Sequence, residues 1–240
     1  MRNAINQFAP TITAPQSGVA FDEGLRRHML RVYGYMSAGL VITGLVAYVV
    51  GTTPALYEPI FTTPLQWVVI FAPLVFVLFF SFSINAIPAP IAQAIFWLFC
   101  ATMGLSLSIV FLAYTGASIA QTFFVAAAMF GAMSLYGYTT RTDLTKFGSF
   151  LIMGLIGVLI AFVANLFLGS DVLYYAISFV GILVFLGLTA WDTQTIKEQY
   201  AGSLETGDSQ KLAVLGALSL YLNFVNLFQL LLSLTGQRQE

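Results

Sequence analysis

Apolar residues run along this chain in long, nearly unbroken blocks, without the alternation of a half-buried strand or the narrow stripe of a soluble amphipathic helix. A bilayer core about 30 Å thick is crossed by roughly 20 apolar residues in a helix. Seven stretches reach that length, approximately Leu30 to Val50, Leu65 to Ile84, Ile91 to Tyr114, Ile119 to Tyr138, Phe147 to Leu168, Val172 to Trp191 and Leu212 to Leu234. The breaks between them carry turn chemistry: Gly51 to Pro54, Asn85 to Pro90, Thr115-Gly116, Thr139 to Lys146, Leu168 to Asp171, and the polar run from Asp192 to Lys211. Most are short, which makes neighbouring helices antiparallel. The pattern predicts an all-α polytopic membrane protein with one seven-helix transmembrane domain over residues 26–240.

Composition removes the competing classes. Hydrophobic residues make up 59% of the 240 and charged residues only 8%, with a mean hydropathy of +0.88. A soluble fold carries about 25% charged residues to wet its surface, so a soluble enzyme, a nucleic-acid-binding module and a disordered chain are excluded. The single cysteine, Cys100, allows no internal disulfide, and one Cys with one His rules against a dedicated zinc or iron–sulfur site. No cofactor is expected.

The placement of charge sets an orientation. Arg2, Arg26, Arg27 and Arg31 precede the first span, Arg141 and Lys146 fall in the fourth loop, and Lys197 and Lys211 in the sixth. With seven spans all of these lie on one side, and of the nine basic residues only Arg238 lies on the other. Basic residues favour the cytoplasmic side, so the N-terminus is expected in the cytoplasm. Residues 1–25, polar and punctuated by Pro10, Pro15 and Gly18, are read as a flexible cytoplasmic tail. The lipid bilayer is the implied environment and nucleic acid is not a partner.

Polar residues at membrane depth are the places to look for function. Asp192 ends the sixth stretch, with helical character continuing through Asp192-Thr-Gln-Thr-Ile196. Two readings stand side by side: a carboxylate snorkelling into water at the boundary, or one in a cavity open to the cytoplasm, acting as a proton-sensitive gate or cation ligand. In the last span Ser219, Asn223, Asn226 and Ser233 recur at spacings of four, three and seven, along one face. Such a stripe faces other helices, because unpaired amides in hydrocarbon cost several kcal/mol. It serves either as interhelical hydrogen bonding or as the lining of a pathway. Small residues inside the spans, among them Gly39, Ala126 with Gly131, Gly154 with Gly157, and Gly181 with Gly187, are read as packing positions. Gly104-Leu-Ser106 has the Gly-x-Ser form of intramembrane serine proteases but lacks a basic partner, since the only histidine, His28, lies in or beside the tail. With Arg26 and Arg27 it reads as an orientation signal. No complete catalytic set can be assembled, so an enzyme is not expected.

Two segments carry a resemblance. Thr189-Ala-Trp-Asp192-Thr-Gln-Thr-Ile196, followed by Gly216-Ala-Leu-Ser-Leu-Tyr-Leu-Asn223-Phe-Val-Asn226-Leu-Phe228, looks like the Bax inhibitor/YccA family, also called the transmembrane Bax inhibitor motif family. Met129-Phe-Gly-Ala-Met-Ser-Leu-Tyr-Gly-Tyr138 and Gly148-Ser-Phe-Leu-Ile-Met-Gly154 add to it, and the sequence style is that of a bacterial member in the inner membrane. The resemblance implies six helices around a central, very apolar seventh, and a pH-sensitive calcium leak channel. It also implies that an aspartate matching Asp192 shares a proton with a second aspartate in the seventh span, and that a basic residue near the end of the second span latches the closed state. Some bacterial members modulate a membrane-bound AAA protease, which is the alternative role.

This chain departs from that pattern twice. Asn223 stands where the second aspartate is common, and Ser81-Phe-Ser83-Ile-Asn85 carries no basic residue. Sharing a proton between carboxylates depends on like-charge repulsion, which an Asp192/Asn223 pair lacks, so acid–base gating is expected to be weakened or shifted. Calcium prefers six to eight oxygens. One carboxylate, Asp192, with the amides of Asn223 and Asn226, would be a weak calcium site, better suited to permeation than to storage. The expected gate and pathway residues are therefore Asp192, Asn223, Asn226 and Ser219.

Overall fold

The computed structural model describes residues 15–83, 87–203 and 209–239, with side chains described over 23–80, 87–201 and 209–239. Every long element is helical: α1 (Pro15–Thr52), α2 (Pro54–Phe61), α3 (Leu65–Ser83), α4 (Ala89–Leu107), α5 (Ile109–Ala113), α6 (Gly116–Thr139), α7 (Thr145–Leu168), α8 (Asp171–Ser203) and α9 (Ser209–Thr235). Helices satisfy their own backbone groups, which is what hydrocarbon demands. Six are long and apolar enough to cross a membrane, and α2 with α3, bent by 87° between them, adds a seventh if the pair is one span.

The third expected span forms one crossing, Ala89–Ala113, interrupted only at Ser108. α4 ends at Leu107; the hydroxyl of Ser108, the next residue, donates to Leu105 O at 2.6 Å, and α5 continues for five residues. α1 begins at Pro15, within the segment read from sequence as tail, and α8 runs on to Ser203, three turns past Asp192. Residues 1–14, the rest of that segment, lie outside the described residues. So do residues 204–208 of the sixth loop and the side chains of 81–86, where the basic latch was sought.

α9 is the axis. Its backbone lies against α1, α4, α6 and α8, while α3 stacks outside on α4, and α7 outside on α8. Of the six expected around it, four therefore touch it closely and two form an outer row. Nor is the axis especially apolar: of the six long spans α7 is the most apolar, and 11% of its window is buried against 67% for α9.

Close approach needs small residues, and the structure shows where. A Cβ on Gly137 of α6 would overlap the Ala190 backbone of α8, one on Gly148 of α7 would overlap the Trp191 ring, and one on Gly181 of α8 would come within 2.8 Å of Leu230. α8 is thus gripped by α6, α7 and α9 together. By contrast α1 and α6 make no close backbone approach among the described residues, and a cleft separates them. Gly131, expected to pack, faces open space there, as does Gly157 on α7.

Candidate functional site

Asp192 and Asn223 meet. Seven residues into α9 from Gly216, the Asn223 amide nitrogen donates to Asp192 Oδ2 at 2.7 Å. The contact forms because α8 and α9 pack tightly one turn below it: the Ile196 side chain covers Gly216 so closely that a Cβ there would sit 3.0 Å from it. Asn223 is buried and Asp192 half-buried. Asp192 thus turns toward the central helix. No Lys or Arg forms an ion pair with it among the described residues, so its polar support here is the one amide.

A second polar chain runs beside this contact. Thr193 donates to Thr189 O at 2.8 Å, and its oxygen lies 3.1 Å from Ser134 Oγ on α6. Ser134 Oγ is in turn hydrogen-bonded to the Tyr33 hydroxyl of α1. Each hydroxyl has one proton, so with the Thr193 proton spent on its own helix the donors run from Tyr33 to Ser134 to Thr193. A third contact ties α1 and α4 to the axis: Thr43 donates to Cys100 O at 2.9 Å, which leaves the Tyr221 hydroxyl, 2.6 Å away, to donate to Thr43.

The end of α8 beyond Asp192 is capped. Gln194 accepts from Leu144 N at 2.7 Å and donates to Thr142 O at 2.8 Å, clamping the α6–α7 connection. Lys197 donates to Tyr138 O at 3.1 Å, supplying a cation to the last carbonyls of α6. In that connection the Asp143 carboxylate accepts from Thr145 N at 2.9 Å, and its contacts with Thr145, helped by Lys146, hold its pKa below the ordinary carboxylate value. His28, read as part of an orientation signal, is buried instead, its ring 5.0 Å from that of Tyr200 near the end of α8. Neither of its nitrogens has a hydrogen-bond partner among the described residues.

The remaining predicted residues do not join the pair. The Asn226 amide donates back to Leu222 O on its own helix at 2.8 Å. Asn226, Gln229 and Ser233 open instead on a separate cavity of about 370 Å³ between α7, α8 and α9, walled by Tyr114 and Tyr174. Ser219 is half-buried, without a hydrogen bond to Asp192. The stripe thus splits in two: Asn223 meets α8, and Asn226 with Ser233 faces a vestibule toward the other end of the bundle. That end is strapped by the C-terminal residues, where Thr115 N donates to Gln237 O and Gln239 N to Ala113 O, both at 3.0 Å. Ser106, of the Gly-x-Ser element, donates to Val69 O of α3, an interhelical tie. Among the described residues no three of His, Cys, Asp and Glu converge as a metal cluster.

Residues 25–240 match the family model described as inhibitor of apoptosis-promoting Bax1. The chain belongs to the Bax inhibitor-1/YccA family. The resemblance seen in its sixth and seventh spans therefore extends over nearly its whole length. It is 46% identical over 235 residues to an uncharacterized protein of Rickettsia prowazekii, covering 97% of this chain and 99% of that one. It is 44% identical over 219 residues to the inner membrane protein YbhL of Escherichia coli, covering 90% of this chain and 94% of that one. An uncharacterized protein of Caulobacter vibrioides is likewise 44% identical, over 245 residues.

Proposed function

We propose that this chain is a calcium-permeable cation leak channel of the bacterial inner membrane, in which the Asp192–Asn223 contact is the closure between α8 and α9. The observation that carries the reading is that contact itself: a carboxylate three turns before the end of α8 is held by a side chain of α9, the most buried of the six candidate spans. The vestibule of Asn226, Gln229 and Ser233 supports a second polar chamber on the far side, and the relation to YbhL supports the inner membrane. The N-terminus lies in the cytoplasm, on the balance of basic residues.

The chemistry of an amide makes this closure unlike a pair of carboxylates. Two carboxylates 2.7 Å apart hold together only while they share a proton. An amide needs none: its N–H donates to an ionised carboxylate, and after a flip its C=O accepts from a protonated one. Asn223 can thus hold Asp192 in either protonation state, and closure is largely uncoupled from pH. For a passing cation the same geometry is restrictive. With its nitrogen turned to Asp192, Asn223 offers its oxygen elsewhere, so a calcium ion gains the Asp192 oxygens by displacing an N–H donor. One carboxylate and few further oxygens make a weak, transient site.

Calcium influx into proteoliposomes tests the reading. The wild-type protein is expected to leak calcium, and Asp192→Leu, which removes the closing contact, to raise the flux several-fold while the variant still elutes as a folded species. Equal flux in wild type, Asp192→Leu and protein-free vesicles would overturn the channel and favour the alternative role, regulation of a membrane protease.

A further inference from the structure

The cleft between α1 and α6 runs down the side of the bundle and ends at a cation. Its inner chamber, about 450 Å³, is lined by Arg26, Met29, Tyr33, Phe130, Gly131 and Tyr138. Tyr33 and Phe130 also border a second chamber of about 460 Å³, where Ser37, Gly44, Ala127 and Phe224 form the walls and floor. Counted along α1 at 1.5 Å per residue, Arg26 to Leu40 is about 21 Å, more than the roughly 15 Å of hydrocarbon in one leaflet. The groove is open because its walls are small: a Cβ on Gly44 or Gly131 would meet nothing within 4 Å.

Chambers of this size do not stand empty in a membrane. Their apolar lining gives water too few partners, and a void forfeits the dispersion contacts of every wall atom. The rims are lipid-facing: Leu30 and Val41 on α1 and Leu135 on α6 are 60%, 60% and 64% exposed. What distinguishes this groove from ordinary lipid-facing surface is its end. Arg27 pairs with Glu23 at 3.6 Å, whereas Arg26 makes no ion pair among the described residues, and no acidic side chain lines either chamber. An exposed guanidinium at the mouth of an acyl-sized groove matches a phosphate on a fatty tail.

We propose that the α1/α6 cleft binds one anionic phospholipid, its phosphate at Arg26 and an acyl chain laid past Tyr33 against Phe130 and Phe224. The site is separate from the Asp192–Asn223 contact, and its test does not depend on any flux.

Native mass spectrometry of the detergent-solubilised protein, titrated with phosphatidylglycerol or with phosphatidylcholine, reads the first bound lipid directly. Phosphatidylglycerol is expected to bind about fivefold more tightly, the effect of one basic residue at a membrane surface. Arg26→Gln is expected to remove that preference, and Gly131→Leu, which fills open space rather than the core, to reduce the first adduct of both lipids. Arg31→Gln, on the same helix but outside both linings, should leave binding unchanged. Equal binding of the two lipids by wild type, or an Arg26→Gln protein that keeps the preference, would overturn the proposal. So would a dimer that Gly131→Leu dissolves, since the cleft would then hold a second copy of the chain.

Discussion

α7 and α9 have opposite fates that their hydropathies alone would reverse. α7 is the most apolar of the six long spans and lies in the outer row, with large side chains such as Phe150, Ile160 and Phe167 turned outward. α9 is less apolar and occupies the centre, where Tyr221, Leu220 and Leu227 are fully buried. In water the order would be the other way. In a bilayer, lipid is as apolar as leucine, so nothing drives an apolar face inward; polar groups that need partners, and small residues that allow close packing, decide which helix is internal. α9 carries Asn223 and Gly216 for these purposes, whereas Gly157, on the outward face of α7, meets no neighbour.

A matched pair of glycine substitutions breaks that contrast most sharply. Gly216→Val on α9 must push the Ile196 side chain away from a Cβ position 3.0 Å from it, and overpacking of this kind costs about 1–3 kcal/mol. Gly157→Val on α7 enters open space and is expected to change stability by less than about 0.5 kcal/mol. Thermal unfolding in detergent measures both, and comparable losses at the two sites would mean that burial does not separate the helices. Next in size, Asn223→Leu keeps the bulk but strips the carboxylate of its donor. The same assay should show a loss of about 1–3 kcal/mol, the cost of leaving such a group unsatisfied.

The smallest effect lies at the start of α7. The contacts of Asp143 with Thr145 hold its pKa below the ordinary carboxylate value. Its folded pKa is depressed, so the stabilisation is present above that value and lost as pH falls through the folded pKa. Asp143→Asn should flatten a slight decline in stability below about pH 4 and leave neutral pH almost unaffected. A decline of the same steepness in the variant would assign it to another group.

Much of this was legible from the residues. Unbroken apolar blocks mark spans because a bilayer demands a fixed length, and Asp192 and Asn223 stood out because each is costly in hydrocarbon without a partner. Which way Asn226 faces was not legible. Three residues from Asn223 it shares a broad face, yet the neighbours on either side of that face are different helices, and only packing separates the contact with α8 from the vestibule. Gly131 looked like Gly181, since a glycine allows close approach and also leaves a gap when no helix comes near. The break at Ser108 was hidden because a side-chain bond to Leu105 O, rather than a proline or glycine, marks the end of α4. His28 looked like part of a charged cluster because nothing in its neighbours shows that α8 extends to Tyr200 and covers it.

The central claim is that Asn223 in place of a second carboxylate uncouples closure from protons, and calcium flux against pH in Asn223→Asp proteoliposomes tests it most directly. A nearly flat profile is expected for the wild-type protein between about pH 5 and 8, and a steep, proton-dependent one for Asn223→Asp. A steep wild-type profile that persists in Asp192→Asn, or an Asn223→Asp profile indistinguishable from wild type, would contradict it.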